Sequence, residues 1–413
     1  MNAAAAEKWA TVWTGSIHGP YPAGNAVAQP DLHAVFPDAS ANDQTFRLIL
    51  KPDLWSQRVR LRFSNALGSR PIKLDGVYAG VHASAGRLLP GTNRPVLFHG
   101  ETAVTIEPGR EIWSDAVDLD YLRKSPKEYA QRKMAVSFHV VGESGPMTWH
   151  AKAMQTSYLS RPRSGSHGAD ETSDAFPFTT TSWYFLDAVD AMLPVDTKVV
   201  VAFGDSITDG TNSTINGDDR WPDFLSARAH TAFGRKVAVV NAGIGGNQVV
   251  GPAKYDKDHP IGGGPSALER LDRDVLGLSG VTTVIWLEGI NDLGTAKATP
   301  EAVIAGFKEG IARLHARGVH VIGATIVSSL NSTATHGTPE VDARRKAINE
   351  FIKHGGVFDA VADFAAATLD PQSGTLRAEF TPTSSIGGPG DRLHPNRAGY
   401  QAMANSIDLR ELK

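Results

Sequence analysis

The sequence predicts an α/β fold in two parts: a C-terminal parallel sheet covered by helices, preceded by an antiparallel β-sandwich. After about residue 194, strand-like and helix-like segments alternate, as in a parallel sheet with helices on both faces. Before that point, short strand-like runs are separated by Gly, Pro and Asn turns, which is typical of a sandwich. A polar stretch over residues 160–181 separates the two styles. We therefore predict domains at 1–193 and 194–413, with the boundary near Pro194.

The predicted N-terminal domain is a jelly-roll-like sandwich, with carbohydrate binding or loop support as its expected role. Residues 58–63 alternate polar and apolar side chains, as in a strand with one buried face. Further candidate strands cover residues 45–50, 72–83, 103–106, 134–141 and 147–159. The tryptophans of this half are either sandwich core or a platform for stacking sugar rings, and the core is the commoner role. They are Trp13, Trp55, Trp113 and Trp149.

The C-terminal domain begins with a nearly continuous apolar run over residues 199–203, which predicts a strand buried on both faces. Further strands are predicted at 237–241, 282–287, 319–327 and 357–361. Helices are predicted at 221–233, 300–317, 339–354 and 395–407, the last beginning at Pro395. Thr299 and Thr338 precede two of these helices and are candidate N-caps.

Four short motifs carry the functional signal of the chain. They are Gly204 to Ser206, Gly243 to Asn247, Gly289 to Asp292, and Asp391 to His394. The first three directly follow predicted strands, so they lie at the carboxyl edge of the sheet, where open α/β sheets bind ligands. The first, third and fourth motifs, each taken alone, are also compatible with an ordinary turn or loop. The second motif is not a dinucleotide loop, because Gln248 occupies the place of the third glycine.

The residue types in these motifs suit nucleophilic acyl transfer. A serine hydroxyl becomes a strong nucleophile when an imidazole accepts its proton, and a carboxylate fixes the tautomer of that imidazole. Ser206, His394 and Asp391 fit these three roles and are the predicted catalytic residues.

The four motifs, in this order, resemble the blocks of the GDSL/SGNH hydrolase family. The resemblance implies a three-layer, flavodoxin-like domain. It also implies an oxyanion hole made by the backbone N–H groups of Ser206 and Gly246 and the side-chain amide of Asn291. Glycine suits position 246, since a Cβ there would crowd a substrate pressed against the backbone.

Three segments of the first half narrow the resemblance to two-domain bacterial esterases grouped with xylan-associated arylesterases. They are Trp13 to Gly15, Val59 to Asn65 and Thr148 to His150. We therefore expect a carboxylic-ester hydrolase that favours short-chain acyl esters of carbohydrates or small alcohols. A lipase-like or aryl-ester acylhydrolase, an acyltransferase using the same triad and a glycan-binding protein remain as alternatives. Specificity is expected in the loops at 247–266, 328–339 and 370–393, which leave the same edge of the sheet.

Composition narrows the function classes further. The 413 residues, 41% of them hydrophobic, are enough to bury two cores. A net charge of −3 and a pI of about 6.5 argue against a nucleic-acid partner. The chain contains no cysteine, which excludes disulfides, a thiol nucleophile and cysteine metal ligands. No cofactor or metal site is predicted, and the expected partner is a small-molecule or carbohydrate ester; the sequence leaves the oligomeric state open.

The hydropathy of the chain bears on its expected location. No apolar stretch approaches the roughly 20 residues of a membrane-spanning helix. The start, Met-Asn-Ala-Ala-Ala-Ala-Glu-Lys, lacks the apolar centre of a signal peptide, although a chain beginning after a removed signal would look similar. We expect a secreted or periplasmic protein, with the cytoplasm as the alternative.

Overall fold

A computed structural model describes residues 6–123, 129, 131–252 and 254–412. The chain divides into two compact units, Met1–Val195 and Asp196–Lys413. The division falls slightly later than the boundary expected near Pro194, because Pro194 is the last residue of a strand and pairs with Glu7. Within the described ranges, no helix is long and apolar enough to cross a membrane.

The N-terminal unit is built from antiparallel strands, labelled β1 to β16 in chain order. They are Glu7–Thr14, Gly19–Pro20, Ser40–Leu50, Arg58–Ser64, Ile72–Ser84, Arg87–Leu88, Arg94–Pro95, Val104–Ile106, Glu111–Trp113, Val117–Asp118, Met134–Pro146, Thr148–His150, Ser157–Leu159, Phe178–Thr180, Trp183–Tyr184 and Leu186–Pro194. Short 3-10 helices cover Pro37–Ala39 and Asp120–Arg123. One sheet has the order β1-β16-β4-β10, with β9 on β4. A second has the order β14-β13-β3-β11-β5-β6, with β7 and β8 on β5, and a third joins β15, β12 and β2.

Aromatic side chains join the two larger sheets. Phe46 of β3 and Phe138 of β11 stack with their ring centroids 5.2 Å apart. Phe63 of β4, in the other sheet, packs edge-on against Phe138 at 5.3 Å. Since all three rings are fully buried, the sheets enclose a common core and the predicted antiparallel sandwich is confirmed.

Three of the four tryptophans named in the sequence analysis are buried. Trp13, Trp55 and Trp149 are only 6%, 3% and 2% exposed. The core interpretation is therefore confirmed for these three, which cannot form an open platform for sugar rings. Trp113 is half-buried, and the guanidinium of Arg60 lies over its ring at 4.3 Å.

The strand predictions for this half need two corrections. Residues 147–159 form two strands, β12 and β13, which belong to different sheets. The long strands β1 and β16 were not predicted. In β16, Asp187 and Asp190 are buried beside apolar residues, where Arg62 and Arg60 of β4 pair with them at 2.7 and 2.8 Å. These buried acids break the simple alternation by which a strand is recognised in a sequence.

The C-terminal unit alternates strands and helices. Strands β17 to β21 are Lys198–Gly204, Val237–Gly243, Val281–Leu287, His320–Ala324 and Ala360–Ala362. Helices α1 to α8 are Ser206–Asp209, Trp221–Phe233, Ala267–Leu271, Ile290–Gly294, Pro300–His315, Pro339–His354, Phe364–Thr368 and Arg397–Asn405. A π-helical turn, Asp272–Leu276, continues α3, and 3-10 helices cover Gly234–Lys236, Ala378–Phe380 and Leu409–Leu412.

All pairs in the C-terminal sheet are parallel, in the order β18-β17-β19-β20-β21. This is the flavodoxin-like order 2-1-3-4-5. On one face, Trp221 of α2 and Tyr400 of α8 are buried in a cluster with residues of the sheet. On the other face, Trp286 of β19 packs against Phe307 of α5, with centroids 5.0 Å apart. The predicted three-layer domain is thus confirmed.

Thr299 and Thr338 cap α5 and α6 as predicted, each accepting a hydrogen bond from a backbone N–H of the first turn. The strand predicted at 319–327 ends at Ala324. Beyond it, Ile326 donates its N–H to Asn349 at 2.7 Å and accepts from Arg345 at 2.9 Å. Side chains of α6 therefore satisfy a buried, apolar segment that has no neighbouring strand.

Three smaller corrections concern the ends of elements. The strand predicted at 357–361 is the short β21, and the helix predicted to reach residue 317 ends at His315. The last helix begins at Arg397, not at Pro395. Asn396 is its N-cap, since its side-chain oxygen accepts from the N–H groups of residues 398 and 399 at 3.0 and 3.2 Å.

Candidate active site

The first three motifs leave neighbouring strands at one edge of the sheet. Gly204, the last residue of β17, pairs with Gly243 at the end of β18 and with Leu287 at the end of β19. A Cβ on Gly204 would lie 2.1 Å from the carbonyl oxygen of Leu287. Glycine is therefore required for the close approach that brings these strand ends together.

Ser206 is the first residue of α1, directly after this edge. Asp205 caps the helix, and its carboxylate accepts the N–H of Ile207 at 3.0 Å. The Ser206 side chain is therefore fixed at the start of a helix, and the residue is 5% exposed. Its Oγ lies 2.7 Å from Nε2 of His394.

Asp391 orients the same imidazole from the other side. Its Oδ2 lies 2.6 Å from Nδ1 of His394, and its Oδ1 accepts the N–H groups of Leu393 and His394, each at 2.9 Å. Burial acts to raise the pKa of Asp391. The hydrogen bonds and the charge of His394 outweigh it and hold that pKa well below its ordinary value. The carboxylate is thus ionised, and it favours a proton on Nδ1 of His394.

The second motif folds back against α1, the helix that begins at Ser206. The N–H of Ile244 donates to the carbonyl of Gly204 at 3.0 Å, and the N–H of Gly245 donates to Asp209 at 2.8 Å. Gly246 adopts a φ of 83°, in the left-handed region that favours glycine. The loop that carries Gly246 is therefore attached directly to the segment that carries Ser206.

The third motif clamps the same loop. Asn291, on α4, donates its side-chain Nδ2 to the carbonyl oxygen of Asn247 at 3.0 Å. The carboxylate of Asp292 accepts the N–H groups of Val249 and Val250 at 2.8 and 3.0 Å. Burial raises the pKa of Asp292 to about 6. The structure thus brings all four motifs together through a connected set of hydrogen bonds.

Arg270, which the sequence analysis did not identify, adds further hydrogen bonds to those that connect the four motifs. Its buried guanidinium donates to Gly204 O at 2.9 Å, Ala242 O at 2.8 Å and Asn247 Oδ1 at 2.7 Å. It also pairs with Asp274 at 3.1 Å. One side chain therefore ties two strand ends to the loop after Gly246. Its position at the end of a short helix, four residues before Asp274, looks like an ordinary surface ion pair in the sequence.

Two further buried or half-buried groups lie beside the third motif. Glu288 follows β19, and burial raises its pKa to about 8 against the charge of Arg270, 4.0 Å away. Trp286 donates its indole N–H to Glu288 at 2.8 Å. His336, in the loop between β20 and α6, lies with Nε2 3.2 Å from Oδ1 of Asn291. This loop lies in the segment 328–339, which was predicted to leave the sheet edge. His336 itself could not be identified from the sequence, because a single histidine in a polar loop forms no motif.

Among the residues that the structure describes, no group of three or more His, Asp or Glu side chains is arranged to hold a metal ion.

Residues 202–402 match the family model described as "GDSL-like Lipase/Acylhydrolase family". No curated protein matches the chain.

Several solved structures are similar to the chain over about half its length. One is a carbohydrate acetylesterase family member from Sinorhizobium meliloti, at 18% identity over 52% of this chain and 99% of the other, with a TM-score of 0.39. A second is a GDSL-like lipase from Bacteroides thetaiotaomicron, at 17% identity over 52% and 88% of the two chains, with a TM-score of 0.38. A third is an alpha/beta hydrolase enzyme from the metagenome of Lake Arreo, Spain, at 25% identity over 52% and 94%, with a TM-score of 0.36.

The family match spans the sheet edge and the whole set of motifs from Ser206 to His394. The C-terminal unit therefore carries a GDSL-like lipase/acylhydrolase domain, the family that the four motifs resemble.

Proposed function

We propose that the protein is a carboxylic-ester hydrolase that works through an acyl-Ser206 intermediate. The observation that carries this proposal is the continuous chain of contacts from Ser206 Oγ to His394 at 2.7 Å and from His394 to Asp391 at 2.6 Å. With the Nδ1 proton directed at Asp391, Nε2 of His394 has a lone pair for the serine proton.

The reaction follows from these contacts. Ser206 Oγ attacks the ester carbonyl carbon while His394 takes the hydroxyl proton. The tetrahedral intermediate collapses, the carbon–oxygen bond to the alcohol breaks, and His394 gives its proton to the departing alkoxide. Water then attacks the acyl-serine, His394 removes a proton from that water, and the acid leaves as Ser206 recovers its proton.

The oxyanion of each tetrahedral intermediate needs fixed donors. We assign this role to the backbone N–H groups of Ser206 and Gly246 and to the side-chain amide of Asn291. An amide nitrogen has two N–H groups. One Asn291 N–H goes to Asn247, and the second is assigned to the substrate oxygen.

The preferred substrates in this proposal are short-chain acyl esters of carbohydrates or small alcohols. The loop over residues 247–266, which follows Gly246, is rich in Gly and Pro and poor in apolar side chains. Such a loop offers little surface for a long fatty-acyl chain. Activity against p-nitrophenyl esters should therefore fall about tenfold or more from acetate to octanoate. A preference for octanoate would favour the lipase-like alternative.

The nucleophile is tested by labelling and turnover. A fluorophosphonate should attach once, at Ser206, and p-nitrophenyl acetate should give a burst of p-nitrophenol. Ser206→Ala should lose both, with turnover lowered by roughly 10⁴-fold or more and melting temperature nearly unchanged. Ser406→Ala, at an exposed serine that ends α8, is the matched control and should behave like wild type. Labelling of another serine, or activity of Ser206→Ala within tenfold of wild type, would refute the assignment.

A further inference from the structure

The loop before α6 brings a histidine against the proposed oxyanion residue. Nε2 of His336 lies 3.2 Å from Oδ1 of Asn291, and Thr295 Oγ1 lies 3.4 Å from the same nitrogen. The ring packs on α4 where Gly294 has no side chain, since a Cβ there would lie 2.4 Å from the imidazole. His336 therefore lies beside the part of α4 that carries the Asn291 amide.

The hydrogen bonds determine which groups donate. A carbonyl oxygen only accepts, so the nitrogen of the Asn291 amide must face Asn247 O. The oxygen of that amide then faces His336, and Nε2 of His336 must carry the proton that it donates. On the other side of the ring, Nδ1 accepts from the hydroxyl of Thr335 at 2.9 Å. All of these contacts agree with one tautomer of a neutral imidazole.

The surroundings maintain that state. Burial is the main cause that lowers the pKa of His336, a positive charge on His394 would lower it further, and the carboxylate of Asp391 opposes both. The loop itself is closed by hydrogen bonds: Ser329 Oγ donates to the carbonyl of His336 at 2.7 Å, and the N–H of Asn331 donates to the carbonyl of Gly337 at 2.9 Å. The imidazole is therefore presented to Asn291 by a folded segment.

We propose that His336 is a positioning residue that fixes the orientation of the Asn291 amide through the contact between its Nε2 and Asn291 Oδ1. The inference rests on the proposed function, since it concerns the donor given to the oxyanion. An amide held at both its oxygen and its nitrogen keeps the second N–H in one direction. Held only by Asn247, the amide rotates over a wider range and loses preorganisation, which matters most in the transition state.

Three substitutions separate this role from simple packing. His336→Gln keeps a side-chain N–H donor, so kcat should stay within about threefold of wild type. His336→Glu has nearly the same size but presents a carboxylate to Asn291 Oδ1, and His336→Leu removes the donor. For both we expect kcat to fall about tenfold, with KM within twofold, a smaller loss than the roughly 100-fold expected for Asn291→Ala. His354→Gln, at an exposed histidine on α6 whose Nε2 lies 3.7 Å from Glu350, is the matched control.

A double-mutant cycle tests whether His336 acts through Asn291. In the Asn291→Ala background, His336→Glu should lower kcat by less than twofold, because the group that it positions is absent. An equal loss in both backgrounds, or wild-type kcat in the Glu variant, would overturn the proposal. Melting temperatures show that the compared variants are folded, and the Gln and Glu pair remains informative if the Leu variant does not fold.

The failure of the proposed function has a different outcome. In that case Ser206→Ala would retain the ester turnover of wild type, and the cycle would concern some other activity. If Ser206→Ala is inactive and His336→Glu is fully active, only the positioning role is wrong.

Discussion

Arg62 of the N-terminal unit and Arg270 of the C-terminal unit are both buried charged side chains, but they lie at different points of their sheets. In the N-terminal unit, Arg62 pairs with Asp187 between neighbouring strands β4 and β16, inside the sheet. In the C-terminal unit, Arg270 donates to the carbonyl of Gly204 at the end of β17 and to the side chain of Asn247 in the next loop, and Asp292 accepts the N–H of Val249 in that loop.

The position of a buried charge in the sheet determines what its loss affects. A pair between two strands joins strands that already share a ladder of hydrogen bonds, so its loss affects stability. A charge at the carboxyl edge fixes loops that have no ladder, and in this chain those loops carry Ser206, Gly246 and Asn291. The location of a buried charge relative to the strand end thus predicts whether its removal changes stability alone or also turnover.

The largest expected effect comes from the edge. Asp391→Asn keeps an oxygen for the N–H groups of residues 393 and 394 but turns an N–H donor toward Nδ1 of His394. The proton is then displaced to Nε2, which can no longer accept from Ser206. We expect kcat to fall roughly 10³-fold or more with little change in melting temperature. If Asp391 only shaped its turn, asparagine would suit that turn equally well and kcat would stay near wild type.

The next effect concerns the interior of the sandwich. Arg62→Met leaves the Asp187 carboxylate buried without its guanidinium, which should cost roughly 3–5 kcal/mol of unfolding free energy. The exposed pair of Arg58 and Asp118, 3.4 Å apart, supplies the control, since Arg58→Met should cost less than about 1 kcal/mol. Both losses are measured by urea unfolding. A fall in kcat of the folded Arg62→Met protein would contradict this distinction, because a buried pair inside the sandwich would then affect turnover as well as stability.

The smallest expected effect concerns Glu288, a buried and uncharged acid at the carboxyl edge of the C-terminal sheet. Burial raises the pKa of Glu288 from 4.5 to about 8, so between these values the folded protein binds a proton that the unfolded chain has lost. Rising pH therefore removes stability, by roughly 1.4 kcal/mol per pH unit at most for this group. Glu288→Gln still accepts from Trp286 but cannot ionise. Relative to wild type it should gain roughly 1–2 kcal/mol between pH 6 and 8 in urea unfolding. If the unfolding free energies of the two proteins change with pH in the same way, Arg270 keeps Glu288 ionised in the folded protein.

The sequence predicted the C-terminal sheet well, because its strands are identified both by an apolar run and by the motif that follows. Val199 to Phe203 is a continuous apolar run, and Gly204 and Ser206 directly follow it. The location of a motif at a strand end carries geometric information, since the carboxyl ends of parallel strands meet at one edge. The sequence could therefore predict that Ser206, His394 and Asp391 meet, and the structure brings their side chains into contact.

The supporting residues could not be predicted, because their roles depend on contacts with groups far away in the chain. Arg270 reaches Gly204, and His336 reaches Asn291. The sequence shows only the i,i+4 spacing of Arg270 and Asp274, which is that of an ordinary ion pair, and no motif around His336. The same limit applies to β16. Its aspartates look unsuitable for a buried strand until Arg60 and Arg62 of another strand are seen beside them.

The separation of Ser206 and His394 along the chain has a consequence for folding. Their contact joins positions 188 residues apart, and it requires the parallel strands between them to be in register. Closing so long a loop is entropically costly, and parallel sheets with distant contacts form slowly. Local helices can form before this contact exists. During refolding, far-ultraviolet circular dichroism should therefore recover first and ester turnover last, which makes turnover the strictest measure of how completely the C-terminal unit has folded.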